Sequence, residues 1–508
     1  MLLKRRLIRY IFLIILSCII YHNAIYVLQY NQHENNFEEH QRFVTKKENQ
    51  INFDFGNSNE FIEPTLRQSR NDSSIVTEDK KLTGSVSVDD LSAWLQISSD
   101  IYIYSAYWEN RKEIENAPFV KTIGMIRYNE THLIKEHNIR WTGIVKNGSL
   151  EISCYLWYGN QISPVKGEVQ AFVFEEAHTT FVGAFINCID ASTHSNSSTD
   201  AKTNKLIPYA VSFVPNDISN YPHKLIHIAN LKYPKNKGNF YSVCVRPLYG
   251  PFNDSKSLIQ FLIYYKLVLN IDKFYFYEFA LTLNIKKILQ ELRILGLEIE
   301  LLKWNLPTGN WDELWDFGSL ASLNDCLYRT LVDGFNYTLF VDIDEFIVPR
   351  VKEDMIKDIY SKTLKQKRGI LGDAVMVLNG FFCSDFKNDK STSLNTNEIL
   401  PIFKYIKREG RLWPPKERSK LIIQPSYVIS VGHHMVHKFV NSKLKNHPSP
   451  KTLSALHHYR LCGDLRHGIH NNGPKVIEGI LDTDKSIFKF KNRILNSNLY
   501  KYYETELT

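Results

Sequence analysis

The chain has 508 residues, of which 44% are hydrophobic and 23% charged, and its formal net charge is +8 at pH 7. These proportions are ordinary for globular proteins, and the length exceeds what one hydrophobic core usually serves. Half of the net charge comes from the N-terminal residues Lys4, Arg5, Arg6 and Arg9. The charge that remains is too small to indicate nucleic-acid binding.

An apolar segment from Tyr10 to Leu28 follows this basic cluster. It approaches the roughly 20 residues that a helix needs to cross a bilayer, and a basic flank stays on the cytoplasmic side. We therefore predict a cytoplasmic tail at 1–9, a signal-anchor at 10–28 and a luminal remainder. A cleaved signal peptide is the alternative, because Tyr10 to Tyr21 alone matches the apolar region of such a peptide.

Cysteines and glycosylation sequons agree with a luminal location. An even set of six cysteines follows Cys18, which favours disulfides in an oxidising compartment but leaves about 15 full pairings open. Those six are Cys154, Cys188, Cys244, Cys326, Cys383 and Cys462. Six Asn-X-Ser/Thr sequons also fall on the predicted luminal side.

The composition of the luminal part changes twice along the chain. Residues 29–99 are polar, which predicts an extended stem. From 100 to 235, apolar and polar residues alternate in short segments such as IYIYSAYW, EISCYLWYG and TTFVGAFINC. This pattern predicts a β-sandwich-like domain. The domain either binds carbohydrate or only supports the domain that follows it.

From 236 to 508, strand patterns alternate with helix patterns. The segments KFYFYEF and EIELLKWNLP have the composition of buried strands, and NIKKILQELRILG between them has one apolar helical face before a glycine. Successive βαβ units predict a doubly wound, mostly parallel sheet. Ligands of such sheets bind beyond the carboxyl ends of the strands.

An acidic pair follows the last predicted strand of this series. The apolar run from Tyr337 to Val341 leads into Asp342, Ile343 and Asp344. In an extended chain these two carboxylates point to the same side, and hard oxygen ligands suit Mn²⁺ or Mg²⁺. An isolated Asp-X-Asp is very common and, without further context, is more often a solvated acidic turn. Its position after a strand of a βαβ unit favours a metal site.

Several segments resemble glycosyltransferase family 92, formerly a domain of unknown function, and they occur in the order of that family. They are CVRPLYGPF, KFYFYEF, ELLKWNLP, SLNDCLYR, FVDIDEFIVPR and LHHYR. The resemblance covers about Tyr241 to Arg460. It implies a GT-A fold, a Golgi type II topology, and inverting transfer of galactose from UDP-galactose onto fucose of N-glycan cores. It also implies that Asp342 and Asp344 bind the metal and the diphosphate of the UDP-sugar.

Further site residues are predicted beside this pair. His458 matches the His-Tyr-Arg position of the family and is the predicted third metal ligand, with His457 as the alternative. Arg246 ends the first strand of the α/β region, where nucleotide contacts usually occur in this fold. Inverting transfer needs a general base, for which Asp385 and Glu417 are the candidates, and spacing does not choose between them.

Two other groups of residues have open roles. The segment 403–420 is rich in basic residues and contains Trp413. It predicts either a loop that closes over the donor phosphates or a solvated loop. Trp413 either stacks on a sugar or packs in the core. The basic residues of the segment 403–420 are Lys404, Lys407, Arg408, Arg411, Lys416, Arg418 and Lys420.

The second group consists of His433, His434 and His437, which follow a strand-like segment.

Two alternative functions compete with a glycosyltransferase. One is a lectin-like membrane protein whose β-rich domain binds glycan and whose α/β domain has no turnover. The other is a metal-dependent hydrolase or phosphotransferase, for which a G-x-S-x-G or P-loop motif is expected. Neither motif occurs in the sequence.

Overall fold

The structure is a computed structural model that describes part of the chain after residue 93. Within 94–507 it leaves out 136–142, 175–178, 191–206, 218–222, 232–239, 251, 307–312, 352–354, 384–385, 387–399 and 461–480. No helix of the described part is long and apolar enough to span a membrane. The predicted tail, the anchor and all of the stem before Trp94 lie outside the described residues, and so does Asp385.

The β-rich region consists of a single ten-stranded sheet. Its strands are β1 Leu95–Gln96, β2 Ile101–Glu109, β3 Phe119–Arg127, β4 Leu133–Lys135, β5 Gly143–Val145, β6 Ile152–Trp157, β7 Val165–Val173, β8 Phe181–Ile189, β9 Ala210–Pro215 and β10 Ile226–Asn230. Strand β1 lies within the segment predicted as stem and pairs with β2.

This sheet closes on itself. The strand order is β4-β5-β7-β6-β9-β10-β2-β3-β8, and β7 also pairs with β8. The strands from β7 round to β8 therefore form a closed ring, which differs from the two separate sheets of the predicted sandwich. Closure is possible because β7, at nine residues, pairs with β6 through its first three residues, with β8 from Glu168 onward and with β5 at its end.

The α/β region begins with the alternation that the sequence predicts. Its first elements are β11 Tyr241–Cys244, α1 Ser255–Leu269, β12 Lys273–Glu278, α2 Leu283–Ile294, β13 Glu298–Lys303, α3 Trp315–Asp333 and β14 Tyr337–Phe340. The Asp254 side chain caps α1 by accepting from the backbone N–H of Ser257, and Thr282 caps α2 in the same way through Ile285. Gly296 follows α2 at a φ of 92°, a conformation that favours glycine.

The remaining elements are shorter and less regular. They are β15 Glu345–Pro349, α4 Met355–Lys367, β16 Ala374–Val377, β17 Asn379–Cys383, α5 Pro401–Lys404, β18 Lys407–Glu409, β19 Lys420–Ile423, β20 Val428–Val431, β21 Val436–Phe439, β22 Asn446–Pro448, β23 Ser454–Arg460, β24 Leu481–Thr483, α6 Lys491–Leu495 and α7 Asn498–Leu507.

Two sheets of the α/β region meet at the acidic residues. The seven-stranded sheet has the order β13-β12-β11-β14-β19-β16-β22, in which β11 to β14 run parallel and β19 runs antiparallel to β14. The five-stranded sheet has the order β15-β23-β17-β18-β24. The chain leaves the first sheet at Phe340 and enters the second at Glu345, so residues 341–344 connect the two.

Two disulfides pair four of the six cysteines that follow Cys18. Cys154–Cys188 joins β6 to β8, and Cys244–Cys326 joins β11 to α3. Cys244 and Cys326 are both fully buried, so the second disulfide connects the central parallel strand to the helix packed against it.

Removing the second disulfide is expected to lower the free energy of unfolding by roughly 3 to 4.5 kcal/mol, because it closes a loop of about 80 residues in the unfolded chain. Urea unfolding of a Cys244→Ala/Cys326→Ala double variant measures this loss. The Cys154→Ala/Cys188→Ala variant is the matched control, and its shorter separation of 34 residues predicts a smaller loss. Equal stability of the first variant and wild type would contradict the expectation.

A buried ion cluster joins the β-rich region to the α/β region. Arg111 donates to Glu109 Oε2 at 2.6 Å, to the carbonyl of Val428 at 2.7 Å and to Tyr328 Oη at 3.0 Å. Lys121 Nζ lies 3.8 Å from Glu109 Oε2 and 4.4 Å from the centre of the Phe185 ring. Burial lowers the pKa of Lys121 to about 7, although Glu109 opposes that shift.

The stability cost of Lys121 is expected to depend on pH. The folded pKa lies below the unfolded value, so the unfolded state binds this proton more tightly, and stability rises with pH from about 7 towards about 10.5. Below pH 7 the folded protein must bury the charge. Replacing Lys121 with Met removes this titration, so the stability of Lys121→Met relative to wild type is expected to be about 3 kcal/mol more favourable at pH 6 than at pH 9.5, measured by urea unfolding. An equal effect of the substitution at both pH values would contradict this.

Candidate active site

The acidic residues lie in a tight turn between β14 and β15. The backbone N–H of Glu345 donates to the carbonyl of Asp342 at 3.1 Å, and the N–H of Asp342 donates to Glu345 Oε2 at 2.8 Å. The sequence predicted a single strand ending in the acidic pair, but the chain turns there and changes sheets. Alternation along a strand therefore does not set the directions of the two carboxylates, and each has its own partners.

Two basic side chains bind the carboxylate of Asp342. Arg246 Nε donates to its Oδ1 at 2.7 Å, and Lys420 Nζ donates to its Oδ2 at 2.7 Å. Parallel pairing of Cys244 with Phe340 explains the first contact, since Arg246 and Asp342 each lie two residues beyond that pair. Burial alone would raise the pKa of Asp342, but Arg246 and Lys420 hold it far below its usual range.

A left-handed turn before the regular part of α3 holds Arg246 from the other side. Asp316, Phe317 and Gly318 have φ values of 50°, 55° and 71°, and the Asp316 carboxylate accepts from Arg246 Nη1. Positive φ at residues other than glycine costs of order 1 kcal/mol or more and clusters at functional sites. His433 Nε2 lies 2.6 Å from Ser319 Oγ and 3.8 Å from Asp316 Oδ2. Burial lowers the pKa of His433 well below its usual value, so the imidazole is neutral.

Asp344 pairs with His458. The distance from Asp344 Oδ2 to His458 Nε2 is 3.0 Å, and His458 lies on β23 directly opposite Glu345 of β15. The Asp344 side chain is 36% exposed, whereas that of His458 is 7% exposed. Although burial raises the pKa of Asp344, its contact with His458 outweighs this and lowers it. His457 lies away from the turn, 3.6 Å from Asp484.

The side chains of Asp344 and His458 are suitable ligands for a divalent cation, because Mn²⁺ accepts both a carboxylate oxygen and an imidazole nitrogen. The third predicted ligand, Asp342, is instead neutralised by Arg246 and Lys420. In the described part of the chain, no group of three or more His, Cys, Asp or Glu side chains is close enough together to hold a metal ion. A cation bound here would take its protein ligands from Asp344 and His458, and from Asp342 once that carboxylate is released.

Two aromatic rings, those of Phe381 and Trp413, lie between His458 and the carboxylate of Glu409. The Phe381 ring centre lies 4.7 Å from that of His458 and 5.4 Å from that of Trp413. Trp413 Nε1–H donates to Glu409 Oε2 at 2.8 Å, and burial raises the pKa of Glu409. Arg418 lies over the Trp413 ring at 5.0 Å.

The structure separates the predicted site residues. Arg246 and Asp342 form one group with Lys420, which was one of seven basic residues in the segment 403–420. Asp344 and His458 form the adjacent group. Glu417, predicted as a candidate base, is exposed and follows the turn at Pro414.

Asp316, Asn379 and Glu409 were not predicted. Asp316 lies 70 residues from its partner Arg246, and Asn379 lies 79 residues from His458. No spacing pattern connects residues that far apart. The only local signal was the Asp-Phe-Gly sequence at 316–318, which is compatible with a turn.

Comparison with known proteins then defines the family. A model of glycosyltransferase family 92 matches residues 239–506, more than half of the chain. The chain belongs to glycosyltransferase family 92. The matched range of family 92 contains Arg246, the acidic turn, Glu409, Lys420 and His458.

One curated relative and two solved structures describe the likeness further. The beta-1,4-galactosyltransferase galt-1 of Caenorhabditis elegans is 27% identical over 222 residues, which is 43% of this chain and 48% of the relative. The chain thus matches about half the length of that relative. Crystal structures of S. aureus TarS 1-349, alone and in complex with UDP, align with 51% of this chain and 66% of their own at 13% identity, with a TM-score of 0.25. That TM-score is too low to bear on the site of this family 92 protein.

Proposed function

We propose that this family 92 glycosyltransferase is metal-dependent and inverting, and that it moves a hexose from a UDP-sugar onto a glycan or glycoprotein. Galactose from UDP-galactose is the proposed sugar, and fucose of an N-glycan core is the proposed acceptor. Family membership and the likeness to a galactosyltransferase support this. The observation that carries it is the acidic turn, where Asp344 faces His458 while Arg246 and Lys420 surround Asp342.

Arg246 and Lys420 are the proposed diphosphate-binding residues. Both are already directed to one carboxylate at the carboxyl end of the parallel strands, where ligands of such sheets bind. Phosphate oxygens accept the same charge-assisted hydrogen bonds that Asp342 now accepts. A bound diphosphate would therefore compete with Asp342 for the two cations and release its carboxylate.

Asp344 and His458 are the proposed protein ligands of Mn²⁺ or Mg²⁺, with Asp342 joining them after its release. Such an ion, when bound, neutralises the charge that develops on the departing nucleoside diphosphate. Asp344 is accessible enough to exchange partners, and His458 is held in place by strands on both sides.

Glu409 is the proposed general base, which would take the proton from the attacking hydroxyl of the acceptor. Its raised pKa makes it a stronger base than an exposed carboxylate, and the Trp413 indole fixes its orientation. Trp413, which is half-buried beside the fully buried Phe381, offers an aromatic ring to a sugar. Glu417 is exposed, and Asp385 remains a candidate outside the described residues.

The proposed location is the Golgi membrane, with residues 10–28 spanning the lipid bilayer once and the catalytic region in the lumen. The basic N-terminal flank supports the orientation. The two disulfides support an oxidising compartment.

Transfer to a defined acceptor tests the function. The purified protein is incubated with UDP-galactose, UDP-glucose or UDP-N-acetylglucosamine, with Mn²⁺ or a chelator, and with N-glycans that carry or lack core fucose. We expect a mass increase of one hexose only with UDP-galactose, Mn²⁺ and the fucosylated glycan. Glycan binding without any transfer from the donor panel would favour the lectin-like alternative.

A further inference from the structure

Both ring nitrogens of His458 have specific partners. Nε2 faces Asp344 Oδ2 at 3.0 Å, and Nδ1 lies 2.9 Å from the side-chain nitrogen of Asn379. Glu345 Oε1 is farther from Nδ1, at 3.5 Å. Asn379 begins β17, is fully buried, and is therefore the main partner of that nitrogen.

This arrangement fixes the position of the imidazole proton. The amide nitrogen of Asn379 can only donate, so His458 Nδ1 must accept, and the ring proton resides on Nε2. Nε2–H then donates to Asp344. A histidine in this tautomer has no lone pair on Nε2, and it cannot bind a cation through that atom.

The other atom of the same amide is unsatisfied. Asn379 Oδ1 is buried and has no hydrogen-bond partner among the residues that the structure describes. A buried carbonyl oxygen without a partner costs about 1 to 3 kcal/mol and is rare in folded proteins. If the amide turns by half a revolution, Oδ1 accepts a hydrogen bond from His458 Nδ1–H, and Nδ2 takes the position that Oδ1 leaves.

We propose that Asn379 is a positioning residue that determines which nitrogen of His458 carries the proton, and that rotation of its amide prepares Nε2 to bind a divalent cation together with Asp344. After rotation Nδ1–H donates to Asn379 Oδ1, and the lone pair of Nε2 faces the Asp344 carboxylate. The role assigned to Asn379 rests on the proposed function, because it presupposes a cation at Asp344 and His458. Partners of this kind typically change metal affinity by about 10- to 100-fold.

The backbone of Asn379 is anchored independently of its side chain. Its carbonyl accepts from the N–H of Trp413 at 2.8 Å, and it pairs with Leu456 in the ladder between β17 and β23. Substitution of the side chain leaves these contacts in place. Variants at position 379 are therefore expected to fold, so their Mn²⁺ affinity can be measured on folded protein.

The test measures Mn²⁺ dissociation constants of the full chain by electron paramagnetic resonance, without donor or acceptor. Asn379→Leu, which keeps the branched shape and the number of side-chain heavy atoms and removes the amide, is expected to weaken Mn²⁺ binding by about 10- to 100-fold. Asn379→Asp, whose ionised carboxylate only accepts, requires the proton on Nδ1. It is expected to bind Mn²⁺ within about threefold of wild type or more tightly.

Two controls separate this role from a purely structural one. Asn446 binds the backbone of Val436 through both amide atoms, on a different sheet, so Asn446→Leu is expected to lower the unfolding midpoint without changing Mn²⁺ affinity. Asn379 is expected to act only through His458. In the His458→Ala background, Asn379→Leu should then cause no further loss of Mn²⁺ affinity.

Each outcome has a distinct consequence. If wild type and Asn379→Leu bind Mn²⁺ equally, the role of Asn379 is overturned while the metal site stands. Equal weakening by Asn379→Leu and Asn379→Asp also overturns it, because the tautomer then does not matter. If wild type binds no Mn²⁺ at millimolar concentration, the proposed metal site and the role of Asn379 both fail.

Discussion

Asp344→Ala is expected to lower the rate of hexose transfer by about 10² to 10³ while leaving the protein stably folded. The Asp344 carboxylate is 36% exposed, and its partner His458 also has Asn379 beside it. Removing this carboxylate takes away a proposed metal ligand without leaving a buried charge unpaired. Steady-state transfer from UDP-galactose and urea unfolding, performed on the same preparation, measure the two effects.

Asp342→Ala is the informative comparison, since it is expected to reduce both activity and stability. Asp342 neutralises Lys420, whose side chain is 4% exposed, and it also pairs with Arg246. Breaking a buried ion pair costs about 3 kcal/mol, because the remaining charges stay buried. Near-normal transfer in both variants, or full activity of wild type in chelator, would contradict a metal-assisted mechanism at this turn.

The alternating strands and helices of the α/β region were predictable because their signals are local. The helix from Ser255 has an apolar face and a capping residue, and the helix from Leu283 ends before a glycine with positive φ. Both features depend on neighbours within four residues. Residue type and order therefore suffice to predict them.

The change of sheet at the acidic turn was not predictable in the same way. The sequence from Tyr337 to Pro349 is apolar on both sides of the acidic residues, as one buried strand would be. Two interactions divide this segment into two strands. The Glu345 carboxylate accepts a hydrogen bond from the N–H of Asp342, and β15 pairs with β23, which lies more than 100 residues later in the chain. Short strands carry little information about distant partners.

The partners of the acidic residues illustrate the same limit. The resemblance to family 92 pointed to His458, and the structure places it beside Asp344. Composition alone did not indicate that Lys420, among seven basic residues in its segment, reaches Asp342. The closed ring of the β-rich region also depends on the pairing of β7 with β8, which alternation along single strands does not reveal.

Glu409→Gln is expected to lower the turnover of transfer by about 10² to 10⁴ with little change in the affinity for Mn²⁺ or UDP. The substitution removes the proton-accepting group but keeps an oxygen that accepts the indole N–H of Trp413, so the local structure should persist. Glu417→Gln is the matched control on the same segment. Because Glu417 is exposed, its substitution is expected to leave turnover unchanged.

The pH dependence of transfer separates a general base from a residue that only binds substrate. Burial raises the pKa of Glu409, and a base must be ionised, so turnover of wild type should fall as pH decreases through a value above the usual range of glutamate. This acidic limb should be absent from the residual activity of Glu409→Gln and present in Glu417→Gln. If Glu409→Gln keeps the limb and the turnover of wild type, the base lies elsewhere, and Asp385 becomes the residue to test.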